Sequence, residues 1–277
     1  MLDENLKNRI SEDLHKSGFQ SEMAAVEAFL VTGWQCEGSF TYRDRESNSS
    51  REIDLQATFT LSRARQRGGS VQCGLRVLAE VKKSEEPWVA FRERASSPTQ
   101  LLDAWNNLTY TLNLPTEQVA LADALSQHSL LSTNGWKARG VHESFKRPST
   151  PSRWYAAGVA ACKAAESALE AEAATLDPLR PNFSDSILFV LIKPIIILDG
   201  PFVSAHLKDG ETLVIEEITS AAFRFQHRTS EYTRDSYSLD VVTMEALPAY
   251  IASSERRLRS FMEALVQADS AAVGEEL

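Results

Sequence analysis

The chain has 277 residues, 43% of them hydrophobic and 24% charged, which is the balance of an ordinary globular protein able to bury a sizeable core. The formal net charge of −9 argues against a protein that coats nucleic acid by bulk electrostatics, but it leaves open a local groove that engages a phosphate chain through metal ions. The three cysteines, Cys36, Cys73 and Cys162, form no CxxC pair, so they indicate neither a zinc knuckle nor a disulfide framework, and we expect a cytoplasmic protein.

The first two predicted elements are helices. Apolar residues recur every four positions from Leu2 to Leu14, which predicts an amphipathic helix that ends near Gly18. The segment SEMAAVEAFLVTG predicts a second helix, capped by Ser21 and closed by Gly33.

Three predicted strands follow. The segment WQCEGSFTYRD predicts the first, and REIDLQATFTLS predicts the second because apolar and polar residues alternate from Glu52 to Leu61. A basic, glycine-containing tip, RARQRGG, leads into the third, which includes LRVLAEVKK.

Residues 93–180 are predicted to form a helical insertion. Within it, SPTQLLDAWNNLTYTL is interpreted as helical, and the alanine-rich run SRWYAAGVAACKAAESALEAEAATL predicts a long helix. Residues 181–277 are predicted to be β-rich, with hairpin turns at Asp199-Gly200 and Asp209-Gly210, a strand at YSLDVVT, a helix at SSERRLRSFMEALV and a frayed tail at ADSAAVGEEL. We expect one α/β domain over residues 1–277, with a mixed layer architecture and no clean βαβ alternation.

No segment of the sequence predicts a secretory signal or a membrane span. The N-terminus, MLDENLKNRI, is charged and lacks the apolar core of a signal peptide. The most apolar run, Ile187–Leu198, is too short to cross a bilayer and contains Lys193 and Pro194, so we interpret it as a buried strand and expect no membrane partner.

The second and third strands can be aligned on their alternation alone. An antiparallel hairpin centred near Arg67 pairs residues whose numbers sum to 134 and keeps the apolar faces together. In that register Asp54 lies opposite Glu80, and Glu52 lies opposite Lys82. Sums of 132 or 136 remain open, and they leave Asp54 and Glu80 on one face within diagonal reach.

This register brings two carboxylates and an ammonium together. Directly opposed residues have Cβ atoms roughly 4.5–5.5 Å apart, so Asp54 and Glu80 would repel unless a cation lies between them. Mg²⁺ favours one or two carboxylates together with water and substrate phosphate. Lys82, two residues after Glu80, lies on the same face, where its ammonium can orient a metal-bound water or stabilise a scissile phosphate. The alternative is an ordinary surface pair, because Glu-x-Lys is a common pattern in a chain of this charge content.

The order EIDLQA, hairpin, LAEVKKS resembles the PD-(D/E)xK nuclease superfamily over about residues 18–92. Asp54 matches the first acid of that family, Glu80 the second and Lys82 the lysine. Glu22, which fits better than Glu27, matches a glutamate that some members carry on the preceding helix, whereas Ile53 stands where the family often has proline. The resemblance implies a restriction-endonuclease-like core, that is, a central mixed β-sheet flanked by helices, to which this chain adds a β-rich C-terminal elaboration.

The resemblance also implies Mg²⁺-dependent hydrolysis of a phosphodiester bond. Asp54, Glu80 and the Val81 carbonyl would hold Mg²⁺, for which Mn²⁺ can substitute, while Lys82 assists the attacking water. Glu22 would add a carboxylate for a second ion or orient a metal-bound water. The expected substrate is DNA, with RNA left open, and a homodimer fits because many nucleases of this fold dimerise to cut two strands. The competing interpretation is a nuclease-like fold kept as a non-catalytic binding or assembly module, which the acidic charge balance favours somewhat.

Two basic clusters are weaker candidates for contact with nucleic acid. The hairpin tip, with Arg63, Arg65 and Arg67, suits a phosphate backbone and a solvated turn equally well. Surface decoration is the favoured interpretation of the other cluster, which comprises Arg224, His227, Arg228 and Arg234. The sequence has no HExxH, GxSxG, Walker A or GxGxxG motif, which argues against the enzyme classes that depend on them.

Overall fold

The computed structural model describes residues 2–65, 68–92, 107–114, 137–147 and 149–274. The α-helices of this part are α1 (Glu4–Ser17), α2 (Phe19–Leu30), α3 (Arg153–Leu176) and α4 (Leu247–Gly274), and a 3₁₀ helix spans Asp177–Phe183. The strands are β1 (Gln35–Asp44), β2 (Ser49–Ala64), β3 (Ser70–Lys83), β4 (Trp88–Arg92), β5 (Leu108–Leu112), β6 (Lys137–Glu143), β7 (Ile187–Asp199), β8 (Phe202–Lys208), β9 (Thr212–Glu217), β10 (Ser220–Gln226) and β11 (Ser236–Thr243).

The described strands form one mixed sheet in the order β1-β2-β3-β7-β11-β10-β6-β4-β8-β9, with β5 also paired to β7. β1, β2 and β3 pair antiparallel, whereas β7 runs parallel to both β3 and β11. A parallel return to the same sheet needs a long crossover, and α3 lies on the stretch of chain that leads into β7. The predicted α/β class with a mixed sheet is confirmed.

Strand β7 is the centre of the sheet, and its proline lies where the strand changes partner. On one side β7 pairs with β3 over its whole length, from Ile187 to Asp199. On the other side it pairs with β5 as far as Ile192 and with β11 from Ile195 onward. Pro194 falls between those two partners, so its missing N–H interrupts neither ladder.

Helices cover both faces of the sheet. The alanine-rich face of α3 packs on one side, against a cluster that includes Leu78, Ile196 and Leu198. Phe29 of α2 and the apolar face of α4 pack on the other side, against β2, β3 and β7. Small alanine side chains let α3 approach the strands closely, and Gly158 of α3 lies directly beneath the ring of Phe225.

The first predicted helix is confirmed, but the limits predicted for the second are wrong. α1 ends at Ser17, and its C-cap residue Gly18 has a φ of 85°, the left-handed conformation that glycine adopts readily. α2 begins at once, with Gly18 as its N-cap residue, so Ser21 lies inside the helix instead of capping it. Ser21 is buried and donates a hydrogen bond to the carboxylate of Asp199. The helix ends at Leu30, before Gly33.

The described part of residues 93–180 contains strands where only helix was predicted. The segment Leu108–Leu112 is strand β5, because Leu108, Tyr110 and Leu112 alternate with threonines and bury one face in the cluster on the α3 side, while the backbone pairs with β7. β6 is a second strand in this region, while residues 97–106 of the predicted helix lie outside the described residues. The long helix predicted at the alanine-rich run is confirmed as α3.

Of the two predicted Asp-Gly hairpins, one forms. Asp209 and Gly210 have φ values of 54° and 83° and join β8 to β9 as an antiparallel pair. Asp199-Gly200 is not a hairpin turn, because β8 leaves β7 and pairs in parallel with β4. The predicted frayed tail is also wrong over most of its length, since α4 continues to Gly274.

No α-helix of the described ranges combines the length and the apolar character that a membrane crossing requires.

Candidate active site

The register of β2 and β3 is the one that the alternation predicts. Ten pairs run from Leu55–Ala79 to Ala64–Ser70, and the two numbers of each pair sum to 134. The ladder ends at Leu55–Ala79, so the direct pairing predicted for Asp54 and Glu80 does not form. Instead, the carboxylate of Asp54 accepts a hydrogen bond of 2.7 Å from the backbone N–H of Val81.

A break in β1 and β2 lies at Asp54. The β1–β2 register passes from Gly38–Leu55 to Phe40–Ile53 without pairing Ser39 and Asp54, and Ser39 has a φ of 54°. Ile53 packs in the cluster on the α3 side of the sheet, whereas Leu55 belongs to the cluster on the α4 side. The prediction that Ile53 shares a face with Leu55 is therefore wrong, because the strand turns over at this break.

Three oxygen-bearing groups surround the ammonium of Lys82. Its Nζ lies 3.4 Å from Asp54 Oδ2 and 3.1 Å from the carbonyl oxygen of Val81, and it donates a short hydrogen bond to Glu80 Oε2. The side chains of Asp54 and Lys82 are 21% and 24% exposed, so both reach solvent, while that of Glu80 is buried. The end of β3 thus gathers two carboxylates and a carbonyl around one positive charge.

Burial sets the ionisation of this cluster. Burial raises the pKa of Glu80 to about 7, and the charge of Lys82 offsets part of that rise. For Lys82, burial alone lowers the pKa, but the charges of Glu80 and Asp54 outweigh it, so the net pKa is raised. Lys82 therefore stays protonated at neutral pH, while Glu80 lies near its titration midpoint.

Glu22 faces the same site from α2. It lies in the first turn of the helix and lines the same cavity as Val81 and Lys82. Burial and then the charge of Asp54 raise its pKa. Glu27, the other glutamate of this helix that the sequence offers, is exposed and does not line the cavity. Within the described ranges, no hydrogen bond joins Glu22 to Asp54, Glu80 or Lys82.

The cluster opens into a cavity of about 660 Å³. One wall is the end of α1 with Gly18, and the floor is the end of β3 with the loop Ser84–Glu86. A second wall comes from Glu143 at the end of β6, residues 144–147, Thr150, and Arg153 at the start of α3. Distant parts of the chain therefore meet at the carboxyl end of β3.

Basic side chains line much of this cavity. Lys83 Nζ donates a hydrogen bond of 3.0 Å to the His15 carbonyl, and Arg153 donates one to the Lys83 carbonyl. Lys146 lies 3.3 Å from Glu143, whose carboxylate also accepts from the N–H of Trp154 at the start of α3. Arg147 is exposed and makes no ion pair with any described residue. No local sequence pattern signals this wall, because its members meet only through the sheet.

Among the described residues, the members of the two basic clusters singled out by the sequence do not line this cavity. Arg65 forms a 2.6 Å ion pair with Asp269 of α4, so it braces the hairpin instead of facing solvent, and Arg67 lies outside the described residues. The members of the other cluster are held by neighbouring side chains: Arg224 by Ser236, His227 by Glu46, Arg228 by Asp235 and Arg234 by Glu166.

The oxygen atoms of this cluster are of the type that binds Mg²⁺, but the carboxylates are too few to form a complete set of ligands. Carboxylate and carbonyl oxygens are the ligands that Mg²⁺ prefers, and Asp54, Glu80 and Val81 already surround a cationic group. Across the described ranges, however, no three His, Cys, Asp or Glu side chains are grouped closely enough to hold an ion. A metal here would have two carboxylates and a carbonyl as ligands, with Glu22 outside that group.

The chain matches no family model, no curated protein and no solved structure. The resemblance to PD-(D/E)xK nucleases therefore depends on Glu22, Asp54, Glu80 and Lys82 and on the strands that bear them.

Proposed function

We propose that the chain is a Mg²⁺-dependent endonuclease that hydrolyses phosphodiester bonds of DNA, built on a restriction-endonuclease-like core. The observation that supports it most is the convergence of Asp54, Glu80 and the Val81 carbonyl on the Lys82 ammonium at the edge of an open cavity. Two carboxylates beside a lysine are costly to maintain at a partly buried strand end, and such arrangements cluster at functional sites.

Asp54, Glu80 and the Val81 carbonyl would hold the ion. When bound, Mg²⁺ or Mn²⁺ polarises a phosphoryl oxygen and lowers the pKa of a coordinated water. Glu80 must lose its proton to serve as a ligand, and its raised pKa makes that loss depend on pH near neutrality. The Asp54 carboxylate also accepts a hydrogen bond from the Val81 N–H. This bond holds the end of β3, which bears Glu80 and Val81, next to Asp54.

Lys82 is the residue that would meet the substrate. Its ammonium lies among the ligand oxygens and would exchange those hydrogen bonds for bonds to the scissile phosphate when a cation is held there. A protonated lysine in this position stabilises negative charge that develops on the phosphate and orients the attacking water. Glu22, whose pKa is raised, lines the same cavity from the first turn of α2, where it would accept or hold a proton from water.

The basic wall of the cavity suits a polyanion. Lys83, Lys146, Arg147 and Arg153 line the cavity that contains Lys82, so a phosphate chain that reaches Lys82 passes beside them. A local patch of this kind reconciles nucleic-acid binding with a chain whose net charge is −9. Glu85 and Glu86 on the floor would restrict where the phosphates lie.

A cleavage assay tests this function. Purified protein is incubated with supercoiled DNA, linear DNA, single-stranded DNA and RNA, each with Mg²⁺, with Mn²⁺ and with a chelator. We expect metal-dependent nicking or cutting of DNA, and its loss in Asp54→Asn and Lys82→Ala. Glu52→Gln is the matched control, because Glu52 is an exposed acid on the same strand and should retain activity. Cutting that survives both site substitutions would show that this site is not the catalytic one.

The second candidate is a non-catalytic binding module with the same core. The shortage of metal-ligating side chains in the described ranges is the observation that favours it. Isothermal titration with Mn²⁺ separates the two functions. An enzyme should bind Mn²⁺ in the wild-type form and lose that binding in Asp54→Asn, whereas a module should show no binding in either form.

A further inference from the structure

Helix α1 has an apolar face that the described residues leave partly exposed. Leu6, Ile10 and Leu14 are 39%, 42% and 39% exposed, and Leu2 is 57% exposed. Residues four apart lie one above another on a helix, so Leu6, Ile10 and Leu14 form a single ridge, and Leu2 lies just before the helix begins. Of the large apolar side chains that are exposed in the described ranges, more than half lie between Leu2 and Val31, so this exposure is concentrated and not scattered.

The chain holds the C-terminal end of α1 in place. Gly18 turns the chain directly from α1 into α2. Lys83 donates a hydrogen bond to the His15 carbonyl, and the His15 ring contacts Gln20 at 2.9 Å. The helix therefore cannot roll its ridge onto the sheet without breaking these contacts.

The charges of α1 do not suit a membrane surface. Interfacial helices carry Lys and Arg on their polar face, which anionic lipid attracts. Residues 3–16 contain four acids and three bases, so the polar face is mixed and slightly acidic. A mixed face of this kind suits a partner that carries both signs of charge in the complementary order.

The order of residues in α1 is complementary to itself. When two copies pack antiparallel about a two-fold axis through Ile10, the residue k positions after Ile10 faces the residue k positions before it in the other copy. Leu6 then faces Leu14, and Ile10 faces Ile10. Lys7 faces Asp13, so an opposite-charge pair flanks the ridge on each side.

We infer that the chain forms a homodimer in which α1 packs antiparallel against α1 of a second copy, with the two-fold axis at Ile10. A cleft of about 290 Å³ between α1 and α2, lined in part by Leu2, Ile10, Leu14 and Met23, includes part of the ridge and can receive apolar side chains of the other copy. Ridges of residues four apart interdigitate when helices cross at about −50°, so the contact centres on Ile10 and the helix ends diverge.

The dimer would orient two candidate active sites on one assembly. Gly18 lines the cavity of the active site and lies eight residues after Ile10, about 12 Å along the helix. The two cavities would therefore lie at opposite ends of the helix pair. The dimer does not require that either cavity cleave DNA, so it can be tested separately from the proposed function.

Sedimentation equilibrium of the full chain across the micromolar range is the direct test. We expect a dimer, and we expect Ile10→Glu to make it monomeric with an unchanged circular dichroism spectrum, because Ile10 is exposed in the single chain. A chain that stays monomeric throughout that range overturns the inference, and so does a dimer that Ile10→Glu leaves intact.

Charge exchange tests the antiparallel register. Lys7→Glu and Asp13→Lys should each weaken dimerisation about tenfold, because each makes two like-charge contacts across the axis. The double variant exchanges the signs and should return to within about threefold of the wild-type dissociation constant. Arg9→Glu is the matched control, since Arg9 points about 100° away from Ile10. A double variant that is as weak as the single ones overturns the register.

Disulfide crosslinking is a second test of the position of the two-fold axis. Ile10→Cys should crosslink two copies under mild oxidation, because a residue on a two-fold axis meets itself. Asn8→Cys should not, since that position lies about 200° around the helix. The wild-type chain is the blank for Cys36, Cys73 and Cys162, and equal crosslinking of the two variants would contradict the proposed axis.

Discussion

The carboxylate of Asp54 accepts a 2.7 Å hydrogen bond from the backbone N–H of Val81, just beyond the last pair of the β2–β3 ladder. A side chain thus replaces the partner strand where the two strands part. Asp54 therefore has two separable roles, since it secures the end of β3 and it contributes negative charge to the candidate active site.

These two roles predict different results for two substitutions of Asp54. Asp54→Asn keeps an oxygen that accepts the Val81 N–H but removes the charge, so Mn²⁺ binding and cleavage should be lost with little change in stability. Asp54→Ala removes both and should lower the free energy of unfolding by a further amount of about 1 kcal/mol. Urea unfolding and Mn²⁺ titration of both variants check this, and equal stability of the two would contradict the structural role.

The pKa of Glu80 predicts an unusual dependence of stability on pH. Burial raises it from 4.5 to about 7 in the folded state, so the folded chain binds more protons than the unfolded chain between these values, and stability falls as pH rises through that window. Glu80→Gln cannot ionise and should be more stable than the wild type at pH above 7, by up to about 3 kcal/mol. Below about pH 4.5 the gain should vanish.

Urea unfolding at several pH values measures this difference. Glu86→Gln is the matched control, because Glu86 is an exposed acid in the loop that follows β3 and this variant should be about as stable as the wild type. A stability gain for Glu80→Gln that stays the same at every pH would show that Glu80 does not titrate as we expect.

The same pKa predicts how metal binding depends on pH. Because Glu80 must be ionised to act as a ligand, the Mn²⁺ affinity should rise about tenfold per pH unit below pH 7 and level off above it. Lys82 offsets part of the rise in the pKa of Glu80, so Lys82→Ala should move that midpoint to higher pH. Calorimetric titrations between mildly acidic and mildly basic pH check both statements, and a midpoint that moves downward would contradict the second.

A buried ion pair joins α3 to the end of β1. Lys163 Nζ lies 3.0 Å from Asp44 Oδ1 and 2.5 Å from Glu46 Oε2, and the Lys163 and Asp44 side chains are 8% and 5% exposed. Lys163→Met leaves the buried Asp44 carboxylate with only the exposed Arg51, 3.6 Å away, as a counter-charge and should cost about 3 kcal/mol of unfolding free energy. Thermal or urea unfolding measures it.

The effect of Lys163→Met should be smaller when Asp44→Asn is already present, because no charge is then stranded. Lys208→Met is the control, since Lys208 is exposed on β8 and the change should cost less than about 0.5 kcal/mol. A cost for Lys163→Met that does not depend on Asp44 would contradict the ion pair as its cause.

Replacing a glycine inside a helix by alanine usually stabilises a protein, but we predict that Gly158→Ala in α3 is destabilising. A Cβ at this position would lie 2.5 Å from Phe225 Cε2 and 2.7 Å from Cζ, and that ring is buried against Trp154. Overpacking costs about 1–3 kcal/mol, which exceeds the gain of up to about 1 kcal/mol from helix propensity. Gly158→Ala should therefore lower the melting temperature.

The same substitution should be better tolerated together with Phe225→Leu, which shortens the opposing side chain. Gly140→Ala is the control, since a Cβ there meets no atom within 4 Å. Calorimetric melting of the three variants measures the differences, and a stabilised Gly158→Ala would contradict the tight contact.

The β2–β3 hairpin could be predicted from the sequence because strict alternation specifies its register. Moving the pairing by one residue would expose Leu55, Val77 and their neighbours, which are fully buried. Once the register is known, the proximity of Asp54, Glu80 and Lys82 follows from strand geometry. The conformation at Asp54 itself could not be predicted, because it depends on the break that Ser39 introduces in the neighbouring strand.

The rest of the candidate site depends on distant contacts. Lys146, Arg147 and Arg153 reach the cavity only because β6 pairs with β10 and β4 far from β3, and no local pattern signals that pairing. The sequence predicts helix where strand β5 forms. Over only five residues, an apolar residue at every second position cannot be distinguished from the spacing of apolar residues on a helix. In both cases tertiary pairing, and not local propensity, decides the structure.

The thirteen-residue parallel ladder between β3 and β7 ends at Lys82–Leu198 and Lys83–Asp199. Both strands are buried over most of their length, so their amides should be among the slowest to exchange with deuterated water. Glu80 and Lys82 therefore lie on a strand that we expect to resist local unfolding, whereas Asp54 and Glu22 lie on elements that we expect to unfold locally more often. Partial unfolding would take the site apart by withdrawing Asp54 and Glu22 while leaving the Glu80–Lys82 half assembled.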